Sequence, residues 1–457
     1  MLRSACRFLA VVSVLLAAAS VEAAQRPRYG GTLRVQLAAA VRSLDPAEAS
    51  TGYAEAVAKE RLAGLVFERL VRLDERGQPQ PWLALSWRQD RERKGWRFAL
   101  RPGVKFHDGH AVDSAAVVAA LGGVTADGNG IRIESAQPLP ELLSVLASSR
   151  RSIFRRSEEG RLSGTGPFRI AEWEPGRRAR LAAHQEYWGG RPFLDAVSVE
   201  MGRAAKEQLI DVELGKADLV EIPLHEARRS TQRGIRIWTT RPLEVMALLF
   251  ERGRPAGQNA RLRLALALSI DRAAIHSVLL QRQGEPAAAL LPQWMTGYTF
   301  LFSTSRDLAR ARQLVSPPGA TLALACDGSD PLARSIAGRI ALDAREAGLA
   351  VQVSAPSAQA DLRLERFRLG SPAADQALSA FAALLEAPDS PRLPLASSPE
   401  SLYAAERALL EDNRVIPLFH LPEFCGAGKR VKFWNAPAVS GIGEWLLENI
   451  WLEAEKQ

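Results

Sequence analysis

Two histidines and an aspartate lie close together in the segment Phe106-His107-Asp108-Gly109-His110. Histidine and aspartate bind metals and serve as general acids or bases. A closed zinc site needs four ligands, and no second pair of ligands lies nearby. Asp108-Gly109 is also typical of a tight turn. We therefore interpret this segment as a turn that follows a strand.

The glycine-rich segment Gly164-Thr165-Gly166-Pro167 lacks the spacing and the lysine of a phosphate-binding loop. The sequence contains neither a Gly-x-Ser-x-Gly elbow nor a His-Glu-x-x-His pair. His184, His225 and His276 have no other metal-binding or catalytic motif beside them in the sequence, which is typical of structural or surface histidines. We expect no enzyme activity, no cofactor and no metal site.

Tryptophan is the more informative residue type, with ten copies in the chain. Aromatic faces combined with a few polar groups bind amphipathic ligands such as peptides. Five tryptophans lie near predicted turns or strand ends: Trp82, Trp87, Trp96, Trp173 and Trp188. We expect most of them to pack in cores and one or two to line a cleft.

The elements around these residues follow from the spacing of apolar side chains. Alternation predicts strands at 33–37 and 96–100, and the turn Arg101-Pro102-Gly103 predicts a hairpin with 104–106. A helix is predicted over 55–70, and Asp113 or Ser114 is expected to cap the next one. Residues 165–170 and 178–182 read as a further strand pair.

The second half of the chain has a different pattern. Asn259 is expected to cap a strongly apolar helix. The strand at 321–326, a helix from Asp330 to Gly348 and the strand at 349–353 form a βαβ unit, which predicts a parallel pair. The fold class is therefore α/β, with mixed sheets in more than one lobe.

Length and composition agree with an exported globular protein. A chain of 457 residues is too long for one compact core, because domains stop growing at roughly 250–300 residues. Arg3 and Arg7, an apolar run over 8–19 and small residues at 21 and 23 predict a secretory signal peptide at 1–23, cleaved near Ala23. The alternative is a short uncleaved anchor.

Net charge and cysteine content limit the possible binding partners and covalent cross-links. The formal net charge is +8, but the arginines are scattered and lack an aromatic-interleaved stripe, which argues against nucleic acid. Cys326 and Cys425 remain after cleavage, and an oxidising compartment permits a disulfide without establishing one.

Six short motifs follow one another along the chain. They are Tyr29-Gly30-Gly31-Thr32-Leu33-Arg34-Val35, Leu44-Asp45-Pro46, the segment at 100–109, Gly164-Thr165-Gly166-Pro167-Phe168 with Trp173-Glu174-Pro175-Gly176, Tyr187-Trp188-Gly189-Gly190-Arg191-Pro192, and the segment at 261–272. Each motif alone is weak, whereas the series covers nearly the whole mature chain. In this order the motifs resemble those of the family 5 extracellular solute-binding proteins, the oligopeptide-, dipeptide- and nickel-binding components of ABC importers.

The resemblance implies a two-lobed periplasmic-binding-protein clamshell with an extra small domain on the first lobe. The first lobe would be discontinuous, at 24–60, 162–241 and 420–457. The small domain would take 61–161, and the second lobe 242–419. A ligand bound between the lobes would favour the closed state by touching both sides. The implied partners are a peptide or small-molecule ligand and the permease subunits of an ABC transporter, with membrane contact only through the transporter. We expect a periplasmic monomer.

One departure from the family concerns the ligand. Peptide-binding members carry a Trp-x-x-Asp-Tyr-x-x-Pro-like stretch whose Asp pairs with the peptide ammonium. The nearest match here begins at Phe367 and places Gly370 at the Asp position. A buried ammonium without a counter-charge is costly. Glu251 could supply the charge, and Asp375 could do so only if its loop shifts. Ordinary peptide binding is therefore the open question.

Eight residues are candidate ligand contacts, chosen by approximate family alignment and local chemistry. They are Thr51 and Tyr53 on the first lobe, and Phe250, Glu251, Trp294, Tyr298, Phe367 and Asp375 on the second. Two other functions stay open. One is a signalling or chaperone-like relative that presents its ligand to a partner, and the other is an exported hydrolase.

Overall fold

The computed structural model describes residues 26–453, except 93, 140, 299–301, 316–319, 329, 356–358, 386–397 and 434–438. The predicted signal peptide at 1–23 lies outside these residues. No helix in the described ranges is long and apolar enough to cross a membrane.

Strands and helices mix throughout the described chain, as the α/β prediction required. The strands are β1 Thr32–Gln36, β2 Val71–Leu73, β3 Pro79–Pro81, β4 Ala84–Gln89, β5 Gly95–Leu100, β6 Thr125–Asp127, β7 Gly130–Glu134, β8 Arg155–Arg156, β9 Leu162–Ser163, β10 Phe168–Glu174, β11 Arg178–Ala183, β12 Ala196–Glu200, β13 Leu219–Glu221, β14 Arg236–Phe250, β15 Glu285–Pro286, β16 Thr321–Cys326, β17 Ala350–Ser354, β18 Leu362–Arg368, β19 Val415–Ala427, β20 Val431–Phe433 and β21 Ile450–Leu452.

The helices range from one to more than four turns. They are α1 Tyr53–Val66, α2 Ser114–Leu121, α3 Leu142–Leu146, α4 Ala205–Glu213, α5 Ala227–Gln232, α6 Pro255–Gln258, α7 Ala260–Ser269, α8 Arg272–Val278, α9 Gln293–Thr296, α10 Leu308–Leu314, α11 Pro331–Glu346, α12 Ala374–Leu384 and α13 Pro399–Leu410. Short 3₁₀ turns lie at Ser149–Arg151, Leu224–Glu226 and Leu447–Asn449. Asp113 and Asn259 accept hydrogen bonds from the first amides of α2 and α7, which confirms both predicted caps.

One large mixed sheet runs through both lobes. Its strand order is β10-β11-β12-β1-β13-β19-β14-β18-β16-β17, with β15 paired to β19. β1 is parallel to both of its neighbours, β12 and β13. The next three pairings, β13 with β19, β19 with β14 and β14 with β18, are antiparallel. The predicted βαβ unit is confirmed, because β16 and β17 are parallel and α11 connects them.

Two long strands, β14 and β19, connect the lobes. They pair antiparallel from Arg236↔Ala427 to Leu249↔Val415, and the register is irregular around Pro242↔Pro422. The predicted lobe boundaries at 241/242 and 419/420 lie within these two strands. The division itself stays a prediction.

A separate four-stranded sheet, in the order β4-β5-β7-β6, lies in the region predicted as the small domain. The predicted hairpin between 96–100 and 104–106 is wrong, because β5 pairs with β4 and β7 and Lys105 forms only an isolated bridge with Ala111. The turn at 101–103 therefore leads out of the sheet instead of back along it.

The hydrophobic cores show where these units meet. Leu62, Leu65 and Phe67 pack with the first-lobe strands, whereas Leu70 begins the core under β4, β5 and β7. The boundary predicted at 60/61 would cut α1 in the middle, and the cores change only after Phe67. Cys326 and Cys425 are both buried and unpaired, in two different cores.

Candidate functional site

A cavity of about 290 Å³ lies between the two lobes. The second half of α1 and the 67–82 segment form one wall, and residues 144–152 around α3 close its end. The opposite wall comes from Leu243, residues 368–372 and α12, and residues 442–448 complete the enclosure. Both lobes and the small domain therefore contribute to a single space.

A buried network of charges joins the two walls. Arg368, at the end of β18, lies 2.7 Å from Glu60 on α1 and 2.9 Å from Glu423 on β19. Arg61, the next residue on α1, lies 2.6 Å from Glu423 and 2.7 Å from Glu221. Burial opposes ionisation of Glu423, but the guanidinium groups of Arg368 and Arg61 outweigh it and lower its pKa.

Glu68 is a second buried charge in the cavity wall, and protein donors satisfy it. Tyr187 donates to Oε1 at 2.9 Å, and Thr165 and Trp188 donate to Oε2 at 2.8 and 2.9 Å. Burial raises the pKa of Glu68 to about 7 in spite of these donors. The hydrogen bond that Trp188 donates to Glu68 holds the Trp188 ring in place.

Trp82 lies at the centre of a stack of rings and guanidinium groups. The guanidinium carbon of Arg72 lies 4.0 Å from the centre of the Trp82 ring. Trp188 meets Trp82 edge to face, with ring centres 5.0 Å apart, and Arg101 lies 4.0 Å from the Trp188 ring centre. Arg72 and Trp82 line the cavity. Cation–π contact of this kind holds a guanidinium in place without using its N–H donors.

The C-terminal wall adds two carboxyl groups and an indole. Glu444 lies 3.3 Å from Arg69, whereas Glu448 makes no ion pair with any residue in the described ranges. Burial raises the pKa of Glu448 to about 7; neighbouring Glu444 adds to the shift and Arg72 opposes it. The Trp445 ring is 5% exposed, and its N–H has no acceptor within the described chain.

Gly370 lines the cavity, at the position where the family resemblance placed an Asp. A Cβ added to Gly370 would meet nothing within 4 Å. The missing side chain therefore leaves free space in the second-lobe wall.

The two first-lobe candidates lie at the start of α1. Thr51 hydrogen-bonds Glu55 at 2.5 Å and lines neither the main cavity nor the smaller one of about 200 Å³ on the other side of Arg61. Tyr53 lines the smaller cavity and donates to Glu244 Oε1 at 2.7 Å, across the lobe interface. Burial and the charge of Glu244 raise the pKa of Tyr53 well above its usual value.

Three second-lobe candidates lie on β18, at the end of β14 or directly after it. Phe250 is 6% exposed and packs in the second-lobe core instead of lining a cavity. Glu251 pairs with Arg363 at 2.6 Å on a half-exposed surface, outside both cavities. Phe367 packs on Phe381, with ring centres 6.0 Å apart, and only its neighbour Arg368 reaches the main cavity.

The remaining three candidates serve contacts within the protein. Trp294 donates to Pro242 O at 2.9 Å, and Tyr298 donates to buried Glu406 at 2.5 Å. Asp375, in the first turn of α12, faces Glu141 of the small domain. Burial raises the pKa of Glu141, and the neighbouring Asp375 raises it further. None of the three lines either cavity. A ligand role for the eight candidates stays a prediction.

The sequence interpretation missed most of the cavity lining. Trp82 and Trp188 were noted as tryptophans near turns, which was a usable signal. Arg72 and Glu448 lie in segments without any motif, so only the folded structure reveals that they line the cavity. The 106–110 segment forms a turn in which Gly109 has φ +87°, and the described residues contain no group of three or more metal-binding side chains.

Comparisons with known proteins agree with this architecture. Residues 78–130 and 120–381 match the family model described as bacterial extracellular solute-binding proteins, family 5 Middle. The peptide transport periplasmic protein SapA of Salmonella typhimurium is 27% identical over 187 residues, which are 38% of this chain and 34% of SapA. The alignment thus spans about a third of that relative.

Solved structures match over more of the chain. NikA from Staphylococcus aureus, in complex with Ni(L-His)2, gives a TM-score of 0.75 at 17% identity and covers 92% of this chain and 100% of NikA. DppA from Helicobacter pylori, in complex with the peptide STSA, gives 0.75 at 18% identity, with 93% and 99% coverage. These likenesses show a two-lobed binding-protein fold. Together with the family match, they establish that the chain belongs to the family 5 bacterial extracellular solute-binding proteins.

Proposed function

We propose that this protein is the extracytoplasmic substrate-binding component of an ABC importer, which captures a peptide or similar small solute between its lobes and delivers it to permease subunits. The observation that carries the proposal is the cavity of about 290 Å³ lined by both lobes. A ligand that touches both walls favours the closed arrangement over the open one.

The relatives and structural neighbours support a small solute. SapA is a peptide transport periplasmic protein, NikA was solved with Ni(L-His)2 and DppA with a four-residue peptide. The cavity is near the lower end of the usual size range for ligand sites, about 300–1,000 Å³. We infer a periplasmic, monomeric protein that reaches the membrane only through its transporter.

The hydrolase alternative has less support in the cavity itself. Its described lining contains no histidine or cysteine, and none of the lining serines hydrogen-bonds a carboxylate through its side chain. An activated nucleophile needs such a base. No observation favours the signalling alternative over transport.

Thermal unfolding of the mature chain with a solute panel tests the proposal. The panel contains dipeptides to pentapeptides, amino acids, sugars, small organic acids and metal chelates. A ligand at 100 times its Kd adds about 2.7 kcal/mol to the free energy of unfolding, so a true ligand is visible. The same samples are assayed for turnover of peptides and esters.

A cavity-blocking variant supplies the specificity control. Gly370→Trp would extend an indole into the cavity from a position with open space, and should abolish the ligand-dependent shift. Gly253→Trp, at an exposed turn with equally open surroundings, should keep it. A shift that survives Gly370→Trp would place the ligand elsewhere, and turnover would favour the hydrolase.

A further inference from the structure

Four arginines line the main cavity, and the protein itself engages three of them. Arg61 and Arg368 each bind two carboxylates. Arg69 donates to Ala147 O at 2.9 Å and reaches Glu444. These three guanidinium groups have their charge compensated by the fold.

Arg72 differs from the other three. It lies on β2, half-buried, and its side chain makes no hydrogen bond or ion pair with any residue in the described ranges. The guanidinium instead stacks on the Trp82 ring, whose centre is 4.0 Å from the guanidinium carbon. Stacking uses the face of the guanidinium and leaves the N–H donors in its plane available.

The stack gives Arg72 a fixed platform. Trp82 packs edge to face on Trp188, and Trp188 is held by its hydrogen bond to Glu68. Arg101 covers the Trp188 ring and also donates to Trp82 O at 3.0 Å. A guanidinium held by rigid aromatic rings loses little freedom when it binds a ligand.

Among the residues that the structure describes, no carboxylate lies within 4 Å of the Arg72 guanidinium. Glu448 is near enough to influence it electrostatically but is not within 4 Å of it. A half-buried guanidinium without a partner gains from an anion supplied by the ligand. Its planar fork matches a carboxylate.

On the basis of the proposed function, we propose that Arg72, stacked on Trp82, binds a carboxylate group of the transported solute. The solute is then a small organic acid or a peptide whose carboxylate points to the first lobe and the small domain. At Gly370 the second-lobe wall carries no side chain, and therefore no carboxylate that could pair with a ligand ammonium.

Matched acids and amides test the assignment. We would measure by calorimetry the affinities of dipeptides and dicarboxylic acids, each beside its primary carboxamide. The wild type should bind the acid about 10- to 100-fold more tightly, the range of a charge-assisted contact. Arg72→Gln should reduce this ratio to about threefold or less, and Arg72→Lys should restore part of it.

Arg97→Gln is the control, because it removes the same charge from an exposed strand of the small domain outside the cavity. It should leave the ratio unchanged. Equal ratios in wild type and Arg72→Gln would overturn the inference, as would displacement by inorganic phosphate in place of carboxylates. Binding of neutral solutes alone would overturn the inference and keep the proposed function. No binding by any member of the wider panel would overturn both.

Discussion

Arg368 and Glu60 are joined by a salt bridge of 2.7 Å that links β18 of the second-lobe wall to α1 of the first. Arg368 also holds buried Glu423, so its loss would leave a carboxylate with one partner instead of two. We expect Arg368→Met to lower the free energy of unfolding by about 3–5 kcal/mol, as for other broken buried pairs. Urea unfolding measures this directly.

Arg363→Met is the matched control for that experiment. Arg363 pairs with Glu251, but both side chains are about two-fifths exposed. Exposed pairs contribute about 0–1 kcal/mol. A loss for Arg368→Met no larger than that for Arg363→Met would contradict the importance of the buried network.

Gly370→Asp should create an ammonium site in the cavity. The added side chain has open space and faces no backbone within 4 Å of its Cβ. We expect free-amine dipeptides to bind about 10-fold or more tightly than to the wild type, since a hydrogen bond to a charged group contributes about 1.5–3 kcal/mol. Gly370→Asn, of the same size without charge, should show no such gain. Calorimetry with N-acetylated dipeptides completes the comparison, and an equal gain for these would refute a charge effect.

Glu251→Gln tests whether Glu251 contacts the ligand, as the sequence alignment predicted, or lies away from the ligand, as its position in the structure indicates. Local chemistry in the sequence predicted that the change weakens a cationic ligand by about 1–3 kcal/mol. The structure places Glu251 outside both cavities and against Arg363, so we now expect an unchanged affinity. A tenfold weaker Kd for a cationic solute would return Glu251 to the site.

Glu448 should make stability depend on pH. Burial raises its pKa to about 7, whereas a carboxyl in the unfolded chain titrates near 4.3. Between these values the folded chain holds a proton that the unfolded chain has released, so this group's stabilising contribution is lost as pH rises to about 7. Glu448→Gln should therefore gain about 3–4 kcal/mol relative to the wild type between pH 4 and pH 8. Urea unfolding across this range measures the difference, and a difference that stays constant with pH would count against a buried carboxyl.

Local patterns predicted elements well where neighbours in sequence are also neighbours in space. The β16–α11–β17 unit is one example, because each element shows its own period and the connection between them is short. The hairpin at 96–106 failed for the opposite reason. Its strand β5 finds β7 some thirty residues further on, and no turn signal reports such a pairing.

The candidate site divides along the same line. The short motif beginning at Phe367 singled out Gly370, and Gly370 lines the cavity. Glu244 lies on β14 and lines the smaller cavity, whereas Glu251 follows the last residue of that strand and lines neither cavity. Both residues are glutamates, so local chemistry cannot tell which of them reaches a cavity. Arg72 and Glu448, nearly four hundred positions apart, become neighbours only through the fold.

Two prolines face each other where the long strands β14 and β19 pair irregularly. Pro242 and Pro422 are register partners at the point where the ladder is irregular, and neither has an amide N–H to donate. Bending there therefore breaks fewer hydrogen bonds than bending at Val245↔His420. The two connecting strands therefore resist bending least at this pair, which lies beside the lobe boundary predicted at 241/242.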